Sequence, residues 1–303
     1  MNTPSTAVPE SPLEPQKITP AAMSPTRPLY WSIRRELWEN RSIYVAPLIV
    51  AGVTLLGFLI ATIGRGMATV DPARKAAVLT EPNSFAAAVI MATTFVVGVF
   101  YCLDALHGER RDRSILFWKS LPVSDLTTVL SKASIPLVVL PLVAFATIVA
   151  TLLIMLLLST VVLLMSGLSA ATPIPWMQMP LVLLYVLITL ALWHAPIYGW
   201  LLLVSGWARR ATFLWAVLPL IAVQIVEKIA FNTSYFGSML KYRLVGGMAE
   251  AFAHKPHGHV PIVDLSQLTP GNFLSTSGLW IGLAVAAAFL AAAMRLRRYQ
   301  GPI

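Results

Sequence analysis

The stretch Glu109-Arg-Arg-Asp-Arg-Ser114 concentrates charge and a hydroxyl, and an apolar block, Ile115-Leu-Phe-Trp118, follows at once. Lys119-Ser-Leu-Pro122 then stops any helix, because proline disfavours the helical conformation in the residue before it. Ser124 or Asp125 is placed to cap the next helix. The chemistry this spacing offers is recognition: a short helix with an exposed apolar patch requires something to cover it. Either a partner covers it, or the patch buries itself in a membrane interface. Other polar groups are sparser. His254, His257 and His259 lie near Asp264 at spacings compatible with zinc, or are accidental in a polar loop. His194, Gln224 and Glu227 interrupt apolar runs, where a polar group is costly and either serves a substrate path or bonds a neighbouring helix. Asp104 sits near a helix end, within reach of water or of Arg110, and Lys228 stands beside Glu227 where an apolar run closes.

No familiar catalytic set accompanies these residues. The chain contains no Gly-Lys pair to open a Walker A loop, and no Gly-x-Ser-Gly or His-Glu-x-x-His. Cys102 is its one cysteine, so an intrachain disulfide or cysteine cluster is excluded.

The elements that must position these residues are set by hydropathy. Of 303 residues, 57% are hydrophobic and 12% charged, against roughly 25% charged in an ordinary soluble domain. Mean hydropathy is +0.74. A helix needs about 20 apolar residues to cross a bilayer. Six runs qualify: about 43–64, 85–106, 135–165, 181–207, 211–231 and 274–294. The expected fold is therefore all-α, a polytopic integral membrane protein with six transmembrane helices. The third run is too long for a simple crossing and is expected to tilt or project, with Pro136 and Pro141 bending its start. Residues 65–83 read as a short polar loop.

Residues 1–28 carry seven prolines and read as a disordered tail preceding a six-helix transmembrane domain, 29–303. Over 29–41, Ile33 and Leu37 recur at helical spacing between charges, and Trp31 and Trp38 suit the headgroup level. This segment reads as an amphipathic interfacial helix. Arginines and lysines near 34–41, 110–132, 209–210 and 295–298 fall on one side of a six-span chain. The positive-inside rule assigns that side, and both termini, to the cytoplasm. The net charge of +9 is read as topology and lipid contact, with no nucleic acid implied.

With Glu109, Arg110, Asp112, Arg113, Ser114, Phe117, Trp118, Leu121 and Pro122 standing between the second and third spans, the chain resembles the permease subunit of type-2 ATP-binding-cassette (ABC-2) transporters. The resemblance runs from about Leu29 to the C-terminus and implies a non-catalytic subunit of an exporter. ATP and Mg would be held by two copies of a separate cytoplasmic ATPase, with no cofactor bound by this chain. It implies that 109–122 is a coupling helix seated on that ATPase, that a second permease subunit, as a homodimer, completes the path, and that the membrane is a bacterial inner membrane. The loop 232–273 would fold into short helices over the exit, packed by Phe236 and Leu240, with Met248–Phe252 as its second half. A stand-alone ion-coupled transporter or channel is the alternative, with His194, Gln224 and Glu227 along its path.

Overall fold

The computed structural model describes residues 26–64, 72–120, 123–165, 178–252, 268–299 and 301. Apolar composition produces helices throughout, even across internal prolines such as Pro47, Pro196 and Pro219, as a chain surrounded by hydrocarbon must satisfy its backbone internally. The order is α1 (Thr26–Glu39), α2 (Ser42–Gly64), α3 (Pro72–Ala105), α4 (His107–Arg111), α5 (Ser114–Ser120), α6 (Asp125–Ser134), a π turn (Ile135–Val139), α7 (Leu140–Met165), α8 (Gln178–Trp207), α9 (Thr212–Phe231), α10 (Tyr235–Val245), α11 (Gly247–Ala251), α12 (Pro270–Ser275) and α13 (Ser277–Tyr299). Six of the rods are long and apolar enough to span a membrane. The protein is thus an all-α, polytopic membrane protein.

Several boundaries differ from those expected. The first helix starts at Thr26 and ends at Glu39, so its first turn takes in Pro28; the tail before it, 1–25, lies outside the described residues. Proline is accepted in a first turn because its missing N–H would have no intrahelical partner there. The segment read as a polar loop is helical from Pro72 onward. The last span runs from Ser277 to Tyr299, with α12 occupying the residues just before it.

The third long run does not simply bend at its prolines. From Asp125 to Met165 it is one rod, interrupted by the π turn, in which Leu140 N–H donates to Ile135 O. Pro136 has no N–H to give to Lys132 O, and Ile135 N–H supplies that bond instead. A π turn accommodates one extra residue. Its effect is visible in burial: Val129, Lys132, Ala133, Pro136, Leu140, Ala144, Ile148, Leu152, Met155 and Ser159 keep to one face across the break.

α3 packs between α7 and α8, α2 lies on α3 and α7, and α13 lies along α8 over the most extensive helix pair of the bundle. At Gly199 a Cβ would stand 3.3 Å from both Cα and O of Ala286. Small residues let two backbones approach, and close packing of this kind holds membrane helices together where hydrophobicity cannot. α9 stands apart from this packing: among its residues Ala216 alone is buried.

Gly199→Leu should force α8 from α13 and lower the thermal midpoint in detergent, at an overpacking cost of about 1–3 kcal/mol. Gly52→Leu, at a position with nothing within 4 Å of the added Cβ, should leave it nearly unchanged.

Candidate functional site

Glu109 and Arg110 head the charged stretch, yet both are buried, at 8% and 7% exposure. Local geometry draws them inward. Ser205 Oγ of α8 accepts from Leu106 N at 3.0 Å and from His107 N at 2.9 Å, pinning the elbow between α3 and α4. Arg110 donates through Nη1 to Gly206 O at 2.6 Å and through Nε to Gly301 O at 3.3 Å, fastening α4 to the last turn of α8 and to the chain beyond α13.

Glu109 lies at the centre of an ion-pair network built from residues far apart in sequence. Its Oε1 accepts from Arg35 Nη2 and Lys132 Nζ, each at 3.1 Å. Its Oε2 accepts from Arg297 Nη1. Lys132 Nζ also reaches Glu36 Oε1 at 2.8 Å, and Tyr101 Oη donates to Glu36 Oε2 at 2.9 Å. Arg297 Nε continues to Asp125 Oδ1 at 3.1 Å, in the first turn of α6. Three cations, Arg35, Lys132 and Arg297, thus join Glu36, Glu109 and Asp125 across α1, α4, α6 and α13, and Arg35 Nε also reaches the exposed Glu39 at 3.3 Å. Glu36 and Lys132 are each 2% exposed and Arg297 6%. Burying such charges is costly unless they are paired and hydrogen-bonded, as Glu36, Glu109, Lys132 and Arg297 are here.

The network supports α5. The Arg35 guanidinium lies 3.7 Å over the Trp118 ring, a cation–π contact that joins α5 to the same centre. Ile115 is buried beneath α5, and Ser114 Oγ donates to Glu109 O at 3.4 Å. Arg113, between α4 and α5, takes a left-handed conformation (φ 57°) that breaks the helix there. What faces outward is Leu116 and Phe117, 58% and 59% exposed, with Asp112, Arg113 and Lys119 around them. Phe117 stacks edge-on with Trp118 at 5.0 Å.

The charged stretch thus divides. Phe117, Asp112 and Arg113 are at the surface, and Ser114 and Trp118 are partly covered. Glu109 and Arg110, expected as docking contacts, are interior braces: Glu109 is countered by three cations, and Arg110 is held by backbone carbonyls. Leu121 and Pro122 lie outside the described residues, as do His254, His257 and His259.

The three intramembrane candidates do not converge. His194 Nε2 is 3.1 Å from Leu244 O, and its ring packs against Phe95 at 4.9 Å. Glu227 accepts from Thr233 Oγ1 at 2.8 Å, from Phe236 N at 2.9 Å and from Tyr235 N, closing the turn from α9 to α10. Gln224 lies beside Gly237 of α10. Interhelical and turn bonding, rather than a shared path, accounts for His194 and Glu227. The helices α10, α11 and α12 gather around Trp193, which is fully buried and meets Tyr242 edge-on at 5.3 Å. Burial, and then the bond to Glu250 at 2.7 Å, hold the Tyr242 phenol up at about 12.

Glu36, Lys132, Arg297 and Tyr101 were not singled out from sequence, though a signal exists. Glu36 occupies the apolar face marked by Ile33 and Leu37, and Lys132 that of Val129, Ala133 and Pro136. Arg297 continues the stripe Leu279, Gly282, Ala286, Leu290 and Ala293. A charge on an apolar stripe requires a buried countercharge.

Compared with protein-family models, curated proteins and solved structures, the chain matches none.

Removing one partner of a buried network costs about 3–5 kcal/mol, whereas removing a pair together costs much less. Lys132→Met should therefore lower the thermal midpoint markedly, and Lys132→Met with Glu36→Gln should recover part of the loss. Tryptophan-fluorescence melts of the wild type, the two single variants and the double variant check this; a double variant as weak as the sum of its singles would contradict it.

Proposed function

We propose that the chain is the membrane-spanning subunit of an ABC-2-type exporter, driven by a separate cytoplasmic ATPase that docks on α5. The observation that carries this reading is the pairing of an exposed apolar ledge, Leu116 and Phe117, with an unusually firm base beneath it. A patch meant only for lipid needs no such base. A lever does: force applied at α5 reaches α1, α6 and α13 through Glu109, and α8 through Arg110 and Ser205. In this reading Glu109 and Arg110 are positioning residues, and Leu116, Phe117 and the exposed charges Asp112 and Arg113 meet the ATPase. ATP and Mg are held by that partner, in two copies, and a second permease subunit completes the path. The basic residues at the α1, α5 and α13 end support a cytoplasmic placement of that end, and the membrane in this reading is a bacterial inner membrane.

The alternative, an ion-coupled transporter or channel, needs ionisable groups along a common path. It draws little support from a Glu227 engaged in a turn and a His194 bonded to a backbone carbonyl.

Phe117→Asp together with Leu116→Asp should abolish co-purification of an ATPase subunit from native membranes while leaving the melting profile unchanged. Co-purification of an ATPase at the wild-type level with the double variant would overturn α5 as the docking helix. Absence of any ATPase with the wild-type protein would overturn the transporter assignment.

A further inference from the structure

At the end of the bundle opposite the ion network, a crevice of about 320 Å³ opens between α8, α9, α10 and α13. Ile197, Trp200, Leu220, Leu240 and Val285 contribute its apolar walls, and among the described residues Arg243 is its one ionisable lining residue. The Trp200 indole N–H already donates to Ala216 O at 3.1 Å, so it offers nothing to a ligand. Ile281, another wall residue, is 63% exposed on the outer face of α13, which places the mouth of the crevice toward the surrounding hydrocarbon.

Arg243 is held with care. Its Nη2 donates to Gly278 O at 2.7 Å, its Nη1 lies 3.5 Å from Trp193 O, and its guanidinium stands 4.6 Å over the Trp193 ring. Gly282 makes the room: a Cβ there would come within 2.2 Å of Nη2. Carbonyls satisfy N–H donors but leave the charge uncompensated, and a guanidinium has five donors. Among the described residues no carboxylate pairs with Arg243, in contrast to Arg35 and Arg297; Arg110 is likewise held by carbonyls alone, but it does not line this apolar crevice. A half-buried cation without a counter-anion, set at the end of an apolar crevice, calls for an anion with an apolar tail.

We propose that this crevice binds one acyl chain of an anionic bilayer lipid whose headgroup pairs with Arg243. The volume lies at the lower end of the roughly 300–1,000 Å³ range of ligand pockets, which suits a single chain rather than a whole two-chain lipid. A free phosphate would answer the charge but leave the apolar walls unfilled. The site is independent of the ATPase and stands whether or not the transporter reading holds.

Native mass spectrometry of the delipidated full chain, titrated with phosphatidylglycerol and phosphatidylcholine of identical chains, tests this. Phosphatidylglycerol should bind about five- to tenfold more tightly, the size of one cation–headgroup contact. Arg243→Gln should remove that preference and Arg243→Lys should keep most of it. Arg298→Gln, an exposed charge at the opposite end, should leave it intact. Val285→Trp, which fills the crevice, should weaken binding of both lipids, and it provides the test if Arg243→Gln does not fold. Equal binding of the two lipids by the wild-type chain, or an unchanged preference in Arg243→Gln, would overturn the proposal. Displacement of phosphatidylglycerol by millimolar inorganic phosphate would overturn the lipid in favour of a free anion.

Discussion

A carboxylate taken out of water must be matched where it lies, and Glu109 is matched by cations from three other helices: Arg35 of α1, Lys132 of α6 and Arg297 of α13. None of the four can be buried alone at tolerable cost. Their requirement for one another fixes the relative placement of helices whose remaining contacts are apolar and nondirectional. Hydrocarbon-facing surfaces cannot supply that specificity, because lipid tails solvate leucine as well as another helix does. The polar centre determines which faces of α1, α6 and α13 meet, and the small-residue seam between α8 and α13 then closes the bundle at close range.

The two ends of the bundle meet the same problem by different chemistry. At one, charges cancel in a network and hold a short helix with its apolar side outward. At the other, aromatic packing around Trp193 gathers α10, α11 and α12, and Glu227 ties the α9–α10 turn through three donors. Between them α9 contributes little to the interior, and its exposed side chains, Phe213, Leu218, Val226 and Ile229 among them, meet whatever surrounds the subunit. The proposed lever therefore works through the tightly linked helices rather than through α9.

The six spans and the short helix after the second were legible in sequence because hydropathy and proline placement act locally. Ile33 and Leu37 likewise revealed α1, and both pack on the core as their spacing implies. The ion network was not legible from proximity: Glu109 and Arg297 are 188 residues apart, and Glu36 and Lys132 are 96. Six polar residues in a row, 109–114, look like a surface when read along the chain, but α4 carries the first of them against α8 and ends at Arg111, and the turn at Asp112 and Arg113 leaves the bundle. Glu109 and Arg110 therefore face inward while Asp112 and Arg113 face out. The helical start of α3 at Pro72 was missed because its polar first turns lack the apolar signal that marks a span.

The π turn at Ile135–Val139 gives the rod from Asp125 to Met165 a property that differs from its packing. Each residue added to or removed from a helix rotates everything beyond it by about 100°. The single inserted residue already sets the phase between Lys132 below and Ile148, Leu152 and Met155 above. Side-chain changes along this rod can be absorbed one at a time, but its residue count cannot drift. Over these residues, insertions and deletions are constrained more strictly than identity.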